Sequence, residues 1–234
     1  MQLSRIRTFT ARLTLETGLH IGAGDTEMHI GGVDKQIVKH PLTHQPYIPG
    51  SSLKGKMRSL LEWKSGAVQE KPLGLAELGC AGDAQKTGIA AVIKLFGVSG
   101  DAKLAEERAR EIGPTRLAFW DCELDKDWLA QAEQLNIGLT EVKSENSINR
   151  ITGVAVAPRF FERVPAGAAF DFRLSLKVLD DEADLLPHVL AGLRLIELDS
   201  LGGSGSRGYG KVKFADLKLD GETIQLPQDP FTAA

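Results

Sequence analysis

Phe9, Ala11, Leu13 and Leu15 alternate with Thr10, Arg12, Thr14 and Glu16, the period-two pattern of a strand with one buried face. Gly18 closes it, and a glycine-rich stretch runs from Gly22 to Asp34. Ile37-Val38 suits a short strand ended by Pro41. The period then changes. Leu53, Met57, Leu60 and Leu61 fall at i, i+4, i+7 and i+8, which predicts a helix with Ser51 or Ser52 as its cap and Gly66 as its stop. Residues 67–87 show no clear period. Ile89 to Phe96 and Ala102 to Ile112 read as helices, broken at Gly97 and at Gly113-Pro114. Leu117 to Trp120 reads as a strand and Trp128 to Leu135 as a short helix.

The C-terminal third carries the strongest pattern. Phe170, Phe172, Leu174, Leu176 and Val178 alternate as a strand with one buried face. Leu185, Leu186, Val189, Leu190, Leu193 and Ile196 form a helical stripe, with Pro187 tolerated only in its first turn. A glycine loop from Gly202 to Gly210 leads into a last strand with Val212, Phe214, Leu217 and Leu219. The frame is strand, helix, long insertion, strand, helix, strand. That order predicts an α+β fold, a ferredoxin-like βαββαβ sheet with one central strand left to place. The core is expected in residues 5–66 and 168–220 of a single domain, with an inserted region at 67–167.

Composition narrows the class. The chain has 234 residues, 42% hydrophobic and 25% charged, as in ordinary folded chains. No apolar run approaches the ~20 residues of a membrane span. The polar start Met1-Gln2-Leu3-Ser4-Arg5 does not resemble a signal peptide, so no membrane partner and a cytoplasmic location are expected. Cys80 and Cys122 cannot supply a four-thiolate zinc site. The net charge of −3 is unevenly spread: residues 1–64 hold nine Lys/Arg against five Asp/Glu, and residues 143–177 hold six against three. Residues 101–142 and 178–199 are acidic. Two basic segments on one face would suit an anionic polymer, and ordinary solvated surface is the plainer alternative.

Few motifs carry chemistry. Gly203-Ser-Gly205-Ser-Arg-Gly208 spells G-x-G-x-x-G, but it follows a helix and precedes a strand, the reverse of a dinucleotide site. It remains a loop of exposed amides bearing Arg207 and Tyr209, suited to phosphate or to a tight turn. Lys54, Lys56 and Arg58 stand in the first turns of a helix, where the macrodipole disfavours cations unless an anion docks. Four histidines, His20, His29, His40 and His44, show no metal spacing. Asp25, Glu27 and Asp34 share the first glycine loop, where carboxylates bind a divalent ion or cap turns.

Taken together, Leu15-Glu-Thr-Gly18-Leu-His20-Ile-Gly22, Gly31-Gly-Val-Asp34 and Tyr47-Ile-Pro49-Gly-Ser51-Ser52-Leu-Lys54-Gly-Lys56-Met-Arg58 resemble the RAMP superfamily, as does Leu201-Gly-Gly-Ser-Gly-Ser-Arg207-Gly-Tyr-Gly210. Within it they are similar to the repeated backbone subunit of the type III-A CRISPR effector, the Csm complex. Thr140-Glu-Val-Lys-Ser-Glu-Asn146-Ser-Ile-Asn-Arg150-Ile-Thr and Pro158-Arg159-Phe-Phe-Glu-Arg163 match as well. The resemblance implies a palm with an inserted helical subdomain and a thumb-like β-hairpin. It implies copies stacked on a CRISPR RNA beside other Csm subunits, and cleavage of a complementary single-stranded target RNA.

The same resemblance assigns residues. It makes Asp34 the carboxylate required for metal-dependent cleavage, with Mg²⁺ or Mn²⁺ as the ion. It puts His20, Ser51, Ser52, Lys54, Lys56, Arg58, Arg150, Arg159 and Arg207 along the RNA. Leu95-Phe-Gly97 is preceded only by Cys80, so no structural zinc is expected. Aromatic residues make up 6% of the chain and no RNP-type signature is present, so cations and amides, rather than stacking on the sheet, are expected to grip RNA. Two other readings remain: a filament subunit that binds guide RNA without cutting, and a metal-independent nuclease that processes CRISPR RNA with His20 as base.

Overall fold

The protein is described by a computed structural model covering residues 2–24, 34–98, 112–180 and 182–232. A five-stranded antiparallel sheet forms its centre. Its first strand, β1 (Leu3–Leu15), lies between β5 (Ala169–Leu179) and β6 (Val212–Leu219). Two short strands finish the edges, β2 (Leu117–Phe119) beside β5 and β7 (Glu222–Thr223) beside β6, giving the order β2-β5-β1-β6-β7. The strand that the frame left to place is therefore β2, within the strand read over Leu117 to Trp120; it lies beside β5 at an edge of the sheet and not at its centre.

One face of the sheet carries the apolar residues. Phe9 and Leu13 of β1, Phe170, Phe172, Leu174 and Leu176 of β5, and Val212 and Phe214 of β6 are buried there. Helices α1 (Gly50–Ser65), α3 (Asp83–Phe96) and α5 (Leu186–Leu198) join them, and so do Trp128 and Ala132 from a shorter helix. The shorter α2 (Leu75–Cys80) and α4 (Lys126–Gln134) lie between α1 and the second half of the sheet in sequence. α1 turns Leu53, Met57 and Leu61 into the core and ends where expected, on Gly66 at φ 70°. Pro187 occupies the first turn of α5.

The N-terminus of α1 corrects the expected cap. Neither Ser51 nor Ser52 caps it; Pro49 is the N-cap, and the Gly50 N–H donates to Asp121 Oδ1 at 2.7 Å. Asp121 follows β2 closely, so a distant carboxylate satisfies the helix end that a local hydroxyl was expected to satisfy. Ile37-Val38 forms isolated bridges, Gly22 to Ile37 among them, and no strand. The expected helix over 102–112 and the carboxylates Asp25 and Glu27 lie outside the described residues, apart from Ile112.

Residues 141–163 form a second, two-stranded sheet: β3 (Glu141–Ile148) pairs with β4 (Ala155–Arg163) around a turn at 149–154. This hairpin leaves Val142, Ile148, Ile151, Val154, Val156 and Phe160 exposed. It joins the rest at its base, where Leu19 and Val164 exchange backbone hydrogen bonds of 2.9 and 2.8 Å.

Candidate functional site

The base of the hairpin, the segment after Asp34 and the Gly202–Gly210 loop meet at one place. The glycine loop comes first, because its backbone needs are strict. Gly202 has φ 74° and Gly210 φ 71°. A Cβ at Gly202 would stand 2.4 Å from the His20 carbonyl oxygen, and one at Gly210 would stand 1.9 Å from that of Leu201. Both positions combine left-handed backbone with close approach, so only glycine fits. The loop is pinned to the palm by Gly203 N–H to His20 O at 2.8 Å and Gly210 N–H to Gly18 O at 3.0 Å. Its single turn of 3₁₀ helix, Gly205–Arg207, presents Arg207 at the surface.

The hairpin lays one face on that loop. Glu141, Lys143 and Glu145 alternate along β3, opposite Arg163, Phe161 and Arg159 on β4. Tyr209 sits beneath them, almost fully buried. Its hydroxyl donates to Glu145 Oε1 at 2.8 Å, while the Lys143 ammonium and the Arg163 guanidinium lie 4.5 and 4.9 Å from its ring centre. Arg207 reaches Glu145 Oε2 at 2.8 Å and stands 5.1 Å from the Phe161 ring centre. Burial works to raise the Glu145 carboxyl, but the Tyr209 hydroxyl, Arg207 and Lys143 outweigh it and hold the group below its ordinary value. Burial and the adjoining Glu145 carboxylate push the Tyr209 phenol up to about 12.

Asp34 enters from the other side. Its carboxylate is exposed, and Oδ2 accepts the Phe160 N–H at 2.6 Å. Oδ1 has no hydrogen-bond partner among the described residues. The next residues zip onto β4: Lys35 N–H donates to Phe160 O at 3.3 Å, and Glu162 N–H to Lys35 O at 3.0 Å. Glu162, buried, anchors the segment further through the Ile37 N–H at 3.2 Å and the Lys39 ammonium at 2.5 Å. His20 is buried where these pieces join, and its Nδ1 lies 2.7 Å from the Glu162 carbonyl oxygen. A carbonyl only accepts, so Nδ1 carries the proton and Nε2 is bare in the neutral ring.

The structure thus brings Asp34, His20, Arg159 and Arg207 to the hairpin base. Arg150 is exposed at the far turn. The α1 residues are distributed differently from the expected cationic cluster. Lys56 pairs with Asp199 at 2.6 Å. Arg58 bonds Glu62 and the Leu73 carbonyl oxygen, both at 2.8 Å, tying α1 to the chain before α2. Lys54 is half-buried and has no ion-pair partner among the described residues. Ser51 is exposed and Ser52 half-buried. Lys143, Glu145 and Phe161 were not singled out in the sequence, although the alternation Glu141, Lys143, Glu145 was available as a signal.

The glycine loop, the Asp34 segment and the hairpin lie within or beside the span matched by a family model. The RAMP superfamily model matches residues 12–213. The chain belongs to the RAMP superfamily. Among curated RAMP proteins it is 39% identical to the "CRISPR system Cms endoribonuclease Csm3" of Methanothermobacter thermautotrophicus, over 94% of this chain and 87% of that protein. It is 40% identical to the protein of that name from Streptococcus thermophilus, over 93% and 90%. For the one from Mycobacterium tuberculosis the identity is 38%, over 92% of each. Among solved RAMP structures, the crystal structure of the Csm3–Csm4 subcomplex of the type III-A CRISPR-Cas interference complex superposes with a TM-score of 0.54 at 27% identity. That match covers 94% of this chain and 80% of that one. A chain of type III-B Cmr-beta bound to cognate target RNA gives a TM-score of 0.58 at 17% identity, covering 92% of this chain and 61% of that one, a likeness of fold.

Among the described residues, no three His, Cys, Asp or Glu side chains are grouped to hold a metal, and no helix is long and apolar enough to cross a membrane. The described residues therefore form no cage for a resident metal, whereas Asp34 Oδ1, unpartnered among them, suits one ligand position of a hydrated divalent ion, because Mg²⁺ keeps several waters and shares phosphate oxygens.

Proposed function

We propose that this RAMP protein is a backbone subunit of a type III-A CRISPR effector, binding CRISPR RNA in several copies beside other Csm subunits and cutting the complementary target RNA. The observation that carries the reading is Asp34: an exposed carboxylate held against the hairpin by one oxygen, with the other unpartnered among the described residues, in a chain about two-fifths identical to proteins named endoribonucleases. The palm is read as ferredoxin-like. The reading is supported by the order β2-β5-β1-β6, by α1 between β1 and β2 in sequence, and by α5 between β5 and β6. The hairpin 141–163 serves as the thumb, and residues 67–167 as the insertion that also lends β2 to the palm sheet.

In this reading Lys54, Arg159 and Arg207 meet the phosphates, and base pairing with the guide supplies sequence selection. The hairpin and the Asp34 segment hold the target backbone so that a ribose 2′-OH lines up with its own 3′ phosphate. Attack by that oxygen forms the 2′-O–P bond and breaks the P–O5′ bond, the proton passing to solvent and the 5′ oxygen leaving protonated. Mg²⁺ or Mn²⁺ bound beside Asp34 would supply charge stabilisation to the phosphate. An ordinary Asp has a pKa near ~3.9, well suited to an ion ligand and poorly suited to general-base work.

Asp34→Asn tests this, because it keeps the size and the hydrogen bond to Phe160 but loses the charge. In an assembled complex, guide and target binding should stay within about two-fold, while cleavage of complementary RNA falls by at least ~100-fold, as expected when one essential group of a site is lost. Chelation of divalent ions should reproduce the loss. Equal cleavage by both proteins would leave a filament subunit that binds without cutting.

A further inference from the structure

Arg207, read above as a phosphate contact, already has an anionic partner. Its guanidinium bonds Glu145 Oε2 at 2.8 Å and Ser204 Oγ, and stands over the Phe161 ring. The Arg207 side chain is about half exposed, whereas that of Glu145 retains 16% of its exposure. The carboxylate therefore approaches from the protein side, and the guanidinium keeps an open side toward solvent. Lys143, 3.6 Å from Glu145, shares the same carboxylate. Glu145 and Arg207 belong to different pieces of the molecule, the hairpin and the glycine loop, so their bond also fastens one to the other.

From this geometry we propose that Glu145 is an intramolecular stand-in for an RNA phosphate: it occupies Arg207 in the free chain, is displaced by the RNA backbone, and thereby sets RNA affinity and couples RNA binding to release of the hairpin from the glycine loop. The proposal rests on Arg207 contacting RNA. A carboxylate and a phosphate offer a guanidinium the same paired oxygen acceptors. While Glu145 holds one guanidinium nitrogen, only a fraction of chains has Arg207 free, and apparent affinity falls by that fraction. Arg207 needs little rebuilding once released, because Ser204 of its own loop still positions it. Glu145 itself is placed by a bulge in the hairpin: the register shifts between Glu145 and Ser147, with Ala157 of β4 at φ 51°.

The test is a double-mutant cycle on the full-length chain, with a labelled, unstructured single-stranded RNA as probe and binding followed by fluorescence anisotropy. Glu145→Gln keeps the size and the Tyr209 hydrogen bond but removes the charge. It should bind the probe about three- to ten-fold tighter, the scale of one net hydrogen bond or partly exposed ion pair. In the Arg207→Ala background the same change should yield less than a two-fold gain, because the swap needs the guanidinium. Tyr209→Phe, which loosens Glu145 without removing its charge, should not tighten binding. Unchanged or weaker binding by Glu145→Gln would make Glu145 a structural brace and overturn the proposal, as would an equal gain with and without Arg207, a mere field effect. If Arg207→Ala alone binds as tightly as the unaltered chain, the loop is off the RNA path and the underlying reading fails with it.

Discussion

At the scale of single residues, the hydrogen-bond partners divide cations that look alike in sequence. Lys54 and Arg58 stand four apart on α1, yet Arg58 is spent on Glu62 and the Leu73 carbonyl while Lys54 is unpaired among the described residues. Their alanine variants should fail differently. Lys54→Ala is expected to keep its melting temperature and to lower the slope of log K against log salt by about 0.7, one single-strand phosphate. Arg58→Ala should instead cost about 1–3 kcal/mol of stability, since it leaves buried Glu62 uncompensated. Melting curves and RNA titrations at several salt concentrations separate the two. A second pair is invisible in the sequence altogether. Arg116, 2% exposed, forks onto Glu182 at 2.8 and 3.0 Å, and Lys94 joins at 3.2 Å. Burial alone would raise the Glu182 carboxyl, but Arg116 and Lys94 outweigh it and hold it below its ordinary value. A depressed folded value means the stabilisation is complete above the unfolded pKa near ~4.3 and fades as pH falls through the folded one. Glu182→Gln should therefore be strongly destabilising at pH 7, by about 3 kcal/mol, and its penalty should shrink progressively below pH ~4. A penalty independent of pH in urea melts would remove the ion pair from the account.

At the scale of elements, what could be read in the sequence was what burial imprints on it. β5 alternates because Phe170, Phe172, Leu174 and Leu176 face the core while Asp171 and Arg173 do not. α1 and α5 show their stripes for the same reason. The hairpin left no such imprint, since nearly every residue of β3 is exposed and both faces carry polar and apolar side chains; only family likeness suggested it. β2 was read as a strand, but its place at the sheet edge depends on pairing with β5, which no local pattern records. The cap of α1 was misjudged because Asp121 is 71 positions away. In the site, Arg207 stood out through its glycine frame and Asp34 was separated from Asp25 and Glu27 only by family likeness, whereas Glu145 is legible only once the hairpin is laid on the loop. Packing of α1 on α5 yields a prediction in which two effects oppose. Gly192 lies inside α5, where alanine would gain about 1 kcal/mol in helix propensity. Its added Cβ, however, would stand 2.4 and 2.8 Å from Met57 Cε and Cγ. Overpacking of this kind costs about 1–3 kcal/mol, so Gly192→Ala should destabilise by about 1 kcal/mol net. In a Met57→Ala background only Leu61 Cδ1, at 3.1 Å, stays close, and it can give into the vacated space, so the same change should stabilise. Chemical denaturation of the four proteins reads the sign, and a stabilising Gly192→Ala in the native background would mean Met57 simply rotates away.

At the scale of the whole molecule, one asymmetry stands out: the five-stranded sheet and its helices enclose a core, whereas the outer half of the hairpin leaves its apolar residues exposed. Ile151 is 95% exposed, and Ile148, Val154 and Val156 are more than two-fifths exposed. These residues are exposed in the described chain, and exposed apolar clusters on a folded protein mark contact surfaces. The base is different, because Tyr209, Glu145, Phe161 and the Leu19–Val164 pairing lock it to the palm. Stability and function should therefore part company along the hairpin. Replacing residues 147–156 by an Asn-Gly turn keeps every base contact and removes only side chains that pack on little else. The isolated chain should then melt within about 3 °C of the original, equivalent to roughly 1 kcal/mol for a domain of this size. It should also bind RNA only slightly less well, since Arg207, Arg159 and Lys54 remain and, of the cations expected along the RNA, Arg150 alone is lost. Cleavage of complementary RNA by the assembled complex should fall by at least ~10-fold, because on the proposed reading the missing tip is what bends the target backbone toward Asp34 and misplaced reacting groups lose rates of that order. Differential scanning fluorimetry and a cleavage gel suffice. A drop of more than ~8 °C would show that the tip is part of the fold, and undiminished cleavage would show that the base of the hairpin alone shapes the RNA.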